Sequence, residues 1–399
     1  MADTPWLAII GLGEDGAAGL SVAAKAALAK ADLVTGATRH LALLPDLKSE
    51  VMPWPVPFDA GIPRLLEHRG RQVAMLVSGD PFWFGAGTAV TRHLAPTEWV
   101  AYPAPSTFGL AAARLGWPLE DTACLGLHAA PLSRLRRHIA PDRRTLVLLR
   151  DGEAVAKLAC YLDDLGFGAS HLDILEALGG PRERVREATA ATLAFDDIAH
   201  PVAIGIAFAG DGTVLPRTAG LPDAWFEHDG QITKRPVRAL TLSALAPKPG
   251  ETLWDIGAGS GSIGIEWLLS HSSTNAVAFE ADPVRADRIR NNAAALGVDR
   301  LQVVEGRAPD ALAGEATPDA VFIGGGLSNA MLDALWEVLP AGTRLVANAV
   351  TLESEALLGG WHAAKGGTLL RIELSDAAPL GTRRGWRASY PVVQWSVVS

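Results

Sequence analysis

The sequence predicts an α/β protein of two domains, the first made of two α/β subdomains and the second of a Rossmann-like, seven-stranded sheet. Three observations lead there. The chain has 399 residues, whereas a single hydrophobic core usually stops growing near about 250–300 residues. A unit of apolar strand, glycine-rich turn and helix recurs along most of its length. Past residue 215 that pattern breaks, and Pro216, Gly220, Pro222 and Gly230 punctuate a polar stretch. The expected division is therefore 1–215, a linker at 216–229, and 230–399.

In the first domain, Trp6 to Ile10 reads as a buried strand that runs into the turn Gly11-Leu12-Gly13-Glu14-Asp15-Gly16, with an alanine-rich helix from about Ser21 to Lys30. Gly11, Gly13 and Gly16 fit the spacing of a dinucleotide turn. Glu14 and Asp15 inside the turn are unfriendly to a pyrophosphate, which leaves a phosphate-free cofactor or a turn without ligand. A second strand, Val73 to Val77, ends in Ser78-Gly79-Asp80-Pro81-Phe82-Trp83-Phe84-Gly85. There a carboxylate and a rigid turn sit at a strand end with three aromatic residues behind them. Asp80 could equally cap the next segment. Trp99 to Tyr102 ends in Pro103-Ala104-Pro105-Ser106 before a helix at Thr107 to Leu115. The second subdomain begins near Asp121, with strands at Thr145 to Leu149, Leu172 to Leu175 and Val202 to Phe208.

In the second domain, strand candidates centre near Leu253, Val277, Val303, Val321, Leu345, Leu369 and Val392. Helices separate all but the last, which suggests a mostly parallel sheet with one antiparallel strand. The first strand stops on Asp255 and turns through Gly257-Ala258-Gly259-Ser260-Gly261, and Glu280 ends the next strand. Glycine lets backbone approach a ligand closely, so this is a nucleotide-type turn. A carboxylate beside a pyrophosphate costs affinity, whereas S-adenosylmethionine has no phosphate and carries cationic groups that an acid can hold. Asp255 thus favours that cofactor over NAD, and Glu280 stands where a carboxylate meets ribose hydroxyls. A glycine turn that binds nothing is the bland alternative.

Composition narrows the function classes. Apolar residues make up 49% of the chain and charged residues 20%, which is ordinary for a packed protein and not for a disordered one. The net charge of -9 argues against a nucleic-acid partner, which demands a basic surface. Cys124 and Cys160 are too few for a disulfide framework or a cysteine-based metal site, and no metal is expected. With neither a signal-like start nor an apolar run of about 18 residues, the expectation is a cytoplasmic protein without a membrane partner.

Residues 7–208 resemble the tetrapyrrole methylase family through Ile9 to Gly16, Ser78 to Pro81, Pro105-Ser106-Thr107-Phe108 and Glu176-Ala177-Leu178-Gly179-Gly180-Pro181-Arg182-Glu183. Residues 230–397 resemble the C-15 methyltransferase and decarboxylase family of cobalamin synthesis. Here the shared stretches are Ile232-Thr233-Lys234, Asp255 to Gly261, Glu305 to Pro309, Phe322 to Gly326 and Asn348 to Glu353. The resemblance implies a class I methyltransferase fold for the second domain and one S-adenosylmethionine per domain, with S-adenosylhomocysteine as product. The implied reaction is methylation of precorrin-6B at meso carbons C-5 and C-15, with decarboxylation of the ring C acetate, giving precorrin-8. C-5 falls to the first domain; C-15 and decarboxylation fall to the second.

Carried over by position, Gly11, Leu12, Gly13, Gly79, Asp80, Ser106, Thr107 and Leu178 should border the first cofactor. Thr233, Asp255, Gly257 to Gly261, Glu280, Ala308 and Gly324 should border the second. One departure stands out: family members often carry Ser-x-His-Gly-Arg where this chain has Gly126-Leu127-His128-Ala129-Ala130, which puts a role for His128 in doubt. Gly325 and Gly326 replace the Asn/Asp-Pro-Pro-Tyr turn of enzymes that methylate amide or amino nitrogens, and would leave room for a broad planar acceptor; close helix packing is the alternative. Arg383, Arg384 and Arg387, expected in a loop between the last two strands, are candidates for the acceptor's carboxylates, against a solvated basic loop. No catalytic residue is assigned, since an enamine-like meso carbon needs alignment more than a base. An RNA methyltransferase and a non-catalytic cofactor-binding scaffold are the competing classes, and a homo-oligomer is expected by analogy.

Overall fold

A computed structural model describes residues 5–399. The chain divides into two compact units. One runs through Leu132 and includes His138–Val214; the other comprises Ser133–Arg137 and Leu215–Ser399.

The first unit holds two five-stranded sheets. Strands β1 (Leu7–Leu12), β2 (Leu33–Gly36), β3 (Glu50–Pro53), β4 (Val73–Ser78) and β5 (Trp99–Tyr102) form one, in the order β3-β2-β4-β1-β5, parallel throughout. The run Leu7-Ala8-Ile9-Ile10-Gly11-Leu12 is apolar on both faces because both faces are covered. Leu7 and Ile9 join one core with Met75 and Val77, while Ile10 and Leu12 join another with Ala74 and Leu76. The register pairs Leu12 with Ser78, so the turns leaving β1 and β4 emerge side by side. The second sheet takes β6 (Thr122–Gly126), β7 (Arg144–Leu149), β8 (His171–Glu176), β9 (Arg184–Thr189) and β10 (Val202–Ala207) in the order β6-β7-β10-β8-β9, with only β6 and β7 parallel. The strand expected to open at Asp32 is β2, while β3, β6 and β9 are additions to the sequence reading.

The second unit is built on a seven-stranded sheet in the order β13-β12-β11-β14-β15-β19-β16. Its strands are β11 (Thr252–Ile256), β12 (Asn275–Glu280), β13 (Gln302–Glu305), β14 (Ala320–Ile323), β15 (Arg344–Ala349), β16 (Thr368–Ile372) and β19 (Val392–Val398). These are the seven expected strands, and β19 is the antiparallel one, paired with β15 on one side and β16 on the other. Between β16 and β19 the expected loop is instead a two-stranded hairpin, β17 (Ser375–Leu380) and β18 (Arg383–Ala388).

Residues 216–229 do not run as a free tether. Leu221 and Phe226 are buried in the core of the second unit, and Gly220 and Leu221 donate backbone N–H groups to Glu266 at 2.6 and 2.9 Å. Among the described residues, no helix is long and apolar enough to cross a membrane.

Candidate functional site

The first unit encloses a cavity of about 590 Å³, within the range of roughly 300–1,000 Å³ usual for small-molecule sites. It opens where the turns after β1, β2, β4 and β5 converge, facing residues of the second sheet. Of the residues expected to border a cofactor, Leu12, Gly13, Gly79, Asp80, Ser106, Thr107 and Leu178 line it. Gly11 lies beneath them: a Cβ there would collide with the Gly79 carbonyl and with the Ala104 amide nitrogen at 2.6 Å. Its lack of a side chain is what lets the β1 and β4 turns meet. Ser106 caps the helix Thr107–Leu115 by accepting from Gly109 N–H at 3.0 Å. Asp80 closes its own turn by accepting from Phe82 N–H at 2.8 Å, and it does not cap the next helix, Ala86–Thr91, whose N-cap is Gly85.

The polar groups of this cavity include Arg39, His40 and His200, which pattern reading did not find. Glu14 lies between Arg39 and Arg182, at 2.9 Å from each. Ser78 links Arg39 to His40, whose Nε2 is 3.0 Å from the hydroxyl oxygen. Burial, and then the Arg39 charge, push the His40 imidazole down to about 3. Burial also lowers His200 and His128, both of which line the cavity, so all three rings favour the neutral form. His128 therefore belongs to the site although the motif around it departs from the family pattern.

In the second unit the turn after β11 is left-handed at Gly257, Gly259 and Gly261, with φ of 66°, 61° and 73°, a conformation that a Cβ resists. It is pinned from two sides. Gly257 and Ala258 donate to the Phe279 carbonyl of β12, and Gly324 donates to the Ile256 carbonyl at 2.9 Å. A Cβ at Gly257 would lie 2.7 Å from Gly325 N, so the two glycine runs exist in part to pass one another. Gly326 has open space where its Cβ would be.

Glu280 accepts from Gly259 N–H at 2.8 Å and from Asp282 N–H at 3.0 Å. An ionised carboxylate has about four acceptor positions, so Glu280 keeps capacity for a diol. Gly306 donates to the Glu280 carbonyl, which brings the loop carrying Ala308 alongside. Thr233 is held from behind, its carbonyl accepting from the Arg238 guanidinium at 2.5 Å. Arg238 is fully buried against Glu266 at 2.6 Å. Ser260 is fixed by Asn292, which donates to its carbonyl at 2.9 Å.

Asp255 shares its sheet face with Leu253 and is 1% exposed. One oxygen accepts from Gly264 N–H at 2.9 Å, while the other has no hydrogen-bond partner among the described residues. Burial raises its pKa to about 7, with the nearby Glu280 charge adding to the effect. The glycine cradle and the ribose-type carboxylate fit a cofactor with a ribose, whereas Asp255, closed off from solvent and raised toward neutrality, lacks the charge that the sequence reading assigned to it for holding a cation.

Arg383, Arg384 and Arg387 are all exposed on β18, and none forms an ion pair among the described residues. Strand alternation sets Arg383 and Arg387 on one face of the hairpin and Arg384 on the other. The three expected partners of one acceptor are thus split between two faces.

Comparison with known proteins gives two family matches. Tetrapyrrole (Corrin/Porphyrin) Methylases match residues 7–194, and a Precorrin methyltransferase domain matches residues 224–399. A precorrin-6Y C(5,15)-methyltransferase [decarboxylating] from Sinorhizobium sp is 49% identical over 398 residues, covering 98% of this chain and 96% of that protein. The protein of the same name from Mycobacterium tuberculosis is 42% identical over 395 residues, 98% of each chain. A cobalt-precorrin-6B C(15)-methyltransferase (decarboxylating) from Salmonella typhimurium is 33% identical over 169 residues, 40% of this chain and 85% of that protein.

Proposed function

The chain belongs to the precorrin-6Y C(5,15)-methyltransferase (decarboxylating) family, and on that premise we propose a division of its two methylations between the two units. The enzyme methylates a precorrin at C-5 and C-15 with loss of carbon dioxide, in cobalamin biosynthesis. The first unit carries out the C-5 methylation in its cavity. The second carries out C-15 methylation and decarboxylation at the Gly257–Gly261 turn. Each holds its own S-adenosylmethionine, which supplies the electrophilic methyl group.

The observation that supports this is duplication. Each unit has its own glycine-bordered turn at strand ends, with carboxylates and backbone amides converging on it. In the first, Gly79, Asp80, Ser106 and Thr107 border the cofactor. In the second, Glu280 takes the ribose, Thr233 and Ala308 flank it, and Gly325 and Gly326 leave room for the macrocycle. The meso carbon is already nucleophilic, so the protein's work is to hold donor and acceptor in line. Decarboxylation sends its electron pair into the conjugated ring, and the chain's task is to orient the acetate. Arg383 and Arg387, which share one face of the hairpin, hold other carboxylates of the acceptor, and Arg384 on the opposite face does not join them.

Full-length variants separate the two activities. With precorrin-6B and S-adenosylmethionine, the wild type should gain two methyl groups and lose carbon dioxide by mass spectrometry. Gly11→Val should gain one methyl and still lose carbon dioxide, whereas Gly257→Val should gain one methyl without that loss. The reverse pattern would overturn the assignment of units, and an unchanged wild-type mass would overturn the function.

A further inference from the structure

The segment Asp80 to Gly85 contains a feature that cofactor binding does not account for. Phe84 has φ of +55°, a left-handed conformation that a bulky side chain adopts only where its surroundings force it. Here the surroundings are specific. The Phe84 ring packs over Gly126, where a Cβ would lie 2.7 Å from its Cδ1, and meets Phe108 edge-on at 5.9 Å. Trp83 packs on the other part of Phe108 at 5.0 Å. Phe108 is itself buried at the start of the helix Thr107–Leu115. Phe82 takes no part, since it turns away onto Trp99 at 5.4 Å.

Trp83 and Phe84 both line the cavity, yet they are 39% and 50% exposed. Each ring therefore has one side seated in the wall and another offered to solvent. Contact with Phe108 explains the seated sides only. The cavity has room for one ligand of ordinary small-molecule size, so an acceptor built from four linked five-membered rings must lie partly outside the space the methyl donor fills.

We propose that Trp83 and Phe84 form the stacking platform for the conjugated face of the acceptor, and so determine the first unit's specificity for a flat macrocycle. The inference rests on the reading of this unit as a tetrapyrrole C-5 methylase. Aromatic faces reward offset stacking against extended π systems, and a backbone strained into φ > 0 is held where it presents a side chain to a ligand.

The test uses the full chain with precorrin-6B. Trp83→Leu and Phe84→Gly should each raise the acceptor KM for C-5 methylation about tenfold, the cost of one aromatic contact. The affinity for S-adenosylhomocysteine, measured by calorimetry, should stay within about twofold. Trp83→Phe and Phe84→Tyr should restore the acceptor KM. Glycine adopts the required φ without strain but adds backbone freedom, and Trp83→Leu, at a residue outside the left-handed region, reports on a ring alone. An unchanged acceptor KM in both variants would overturn the proposal while leaving the unit's methylase role intact. Weakened S-adenosylhomocysteine binding with unchanged acceptor KM would assign the rings to the cofactor and overturn it as well. Absence of C-5 methylation by the wild type would overturn the methylase reading and the platform together.

Discussion

Asp255 shows how far a single residue can be read from its neighbours in the chain. An acid at a strand end before alternate glycines is visible in the sequence, and the charge expected of it there is what argues for a phosphate-free cofactor. Its burial is not visible, because that depends on which face of β11 the helix Ser262–Ser270 covers. The consequence is a pH dependence. In the unfolded chain the group titrates near 3.8, and in the folded chain near 7. Between those values the native state binds the extra proton, so stability contributed by the protonated group is present below about pH 4 and is lost as pH rises toward 7. The full effect is on the order of 4 kcal/mol. His40 has the opposite sign, since its folded pKa near 3 makes stability fall as pH drops below 6.5. Comparing wild type with Asp255→Asn cancels the histidine contribution. The urea midpoint of the wild type, relative to the variant, should fall steadily from pH 4 to pH 7; a flat difference would contradict a neutral buried Asp255. The His40–Ser78–Arg39 chain was missed because its members, far apart in sequence, come from β4 and the segment after β2, and no short motif records such a meeting.

At the scale of elements, the long apolar strands were legible and the short or charged ones were not. β1, β4 and β11 announce themselves as apolar runs because they are covered on both faces. β3 contains Glu50 and Pro53, and β9 is Arg184-Val185-Arg186-Glu187-Ala188-Thr189, so neither has the pattern of a core strand. The hairpin of β17 and β18 looks like a loop for the same reason: its residues are almost wholly exposed, and only the backbone ladder from Ser375 and Ala388 to Leu380 and Arg383 defines it. The segment 216–229 misleads in the other direction. Its prolines and glycines suggest a tether, but a buried ion pair fastens it: Arg238 binds Glu266 and reaches Asp223 at 3.0 Å, with Phe226 beneath the guanidinium. Removing one partner leaves a charge buried, so Glu266→Ala should cost about 3–5 kcal/mol of stability in denaturant unfolding. Replacing Arg238 by Met as well should recover part of that loss. Recovery of none would mean that the amide bonds from Gly220 and Leu221, and not the ion pair, hold the segment.

For the whole molecule, charge sets an apparent conflict, since a chain of net charge -9 must attract a polyanionic acceptor. Local arginines resolve it if they outweigh the mean field at close range. For the wild type, acceptor KM should rise with ionic strength. Replacing Arg383, Arg384 and Arg387 with Ala should raise KM at low salt and reverse its salt dependence, because the remaining field is repulsive. An unchanged salt slope would remove the hairpin from acceptor binding. The two-unit architecture was legible from chain length and the break past residue 215, and the seven strands of the second sheet from recurrence, while the order of those strands was not, because pairing partners are chosen by packing across long sequence separations. That order has a consequence for synthesis. β11 to β15 can pair with strands already made as the chain emerges from the ribosome, but β16 has β19 as its sole partner in the sheet. About twenty residues after β16 must be translated before it can join. Until β19 is made and paired, β15 presents an unpaired edge, the kind of surface on which strands of other chains can add.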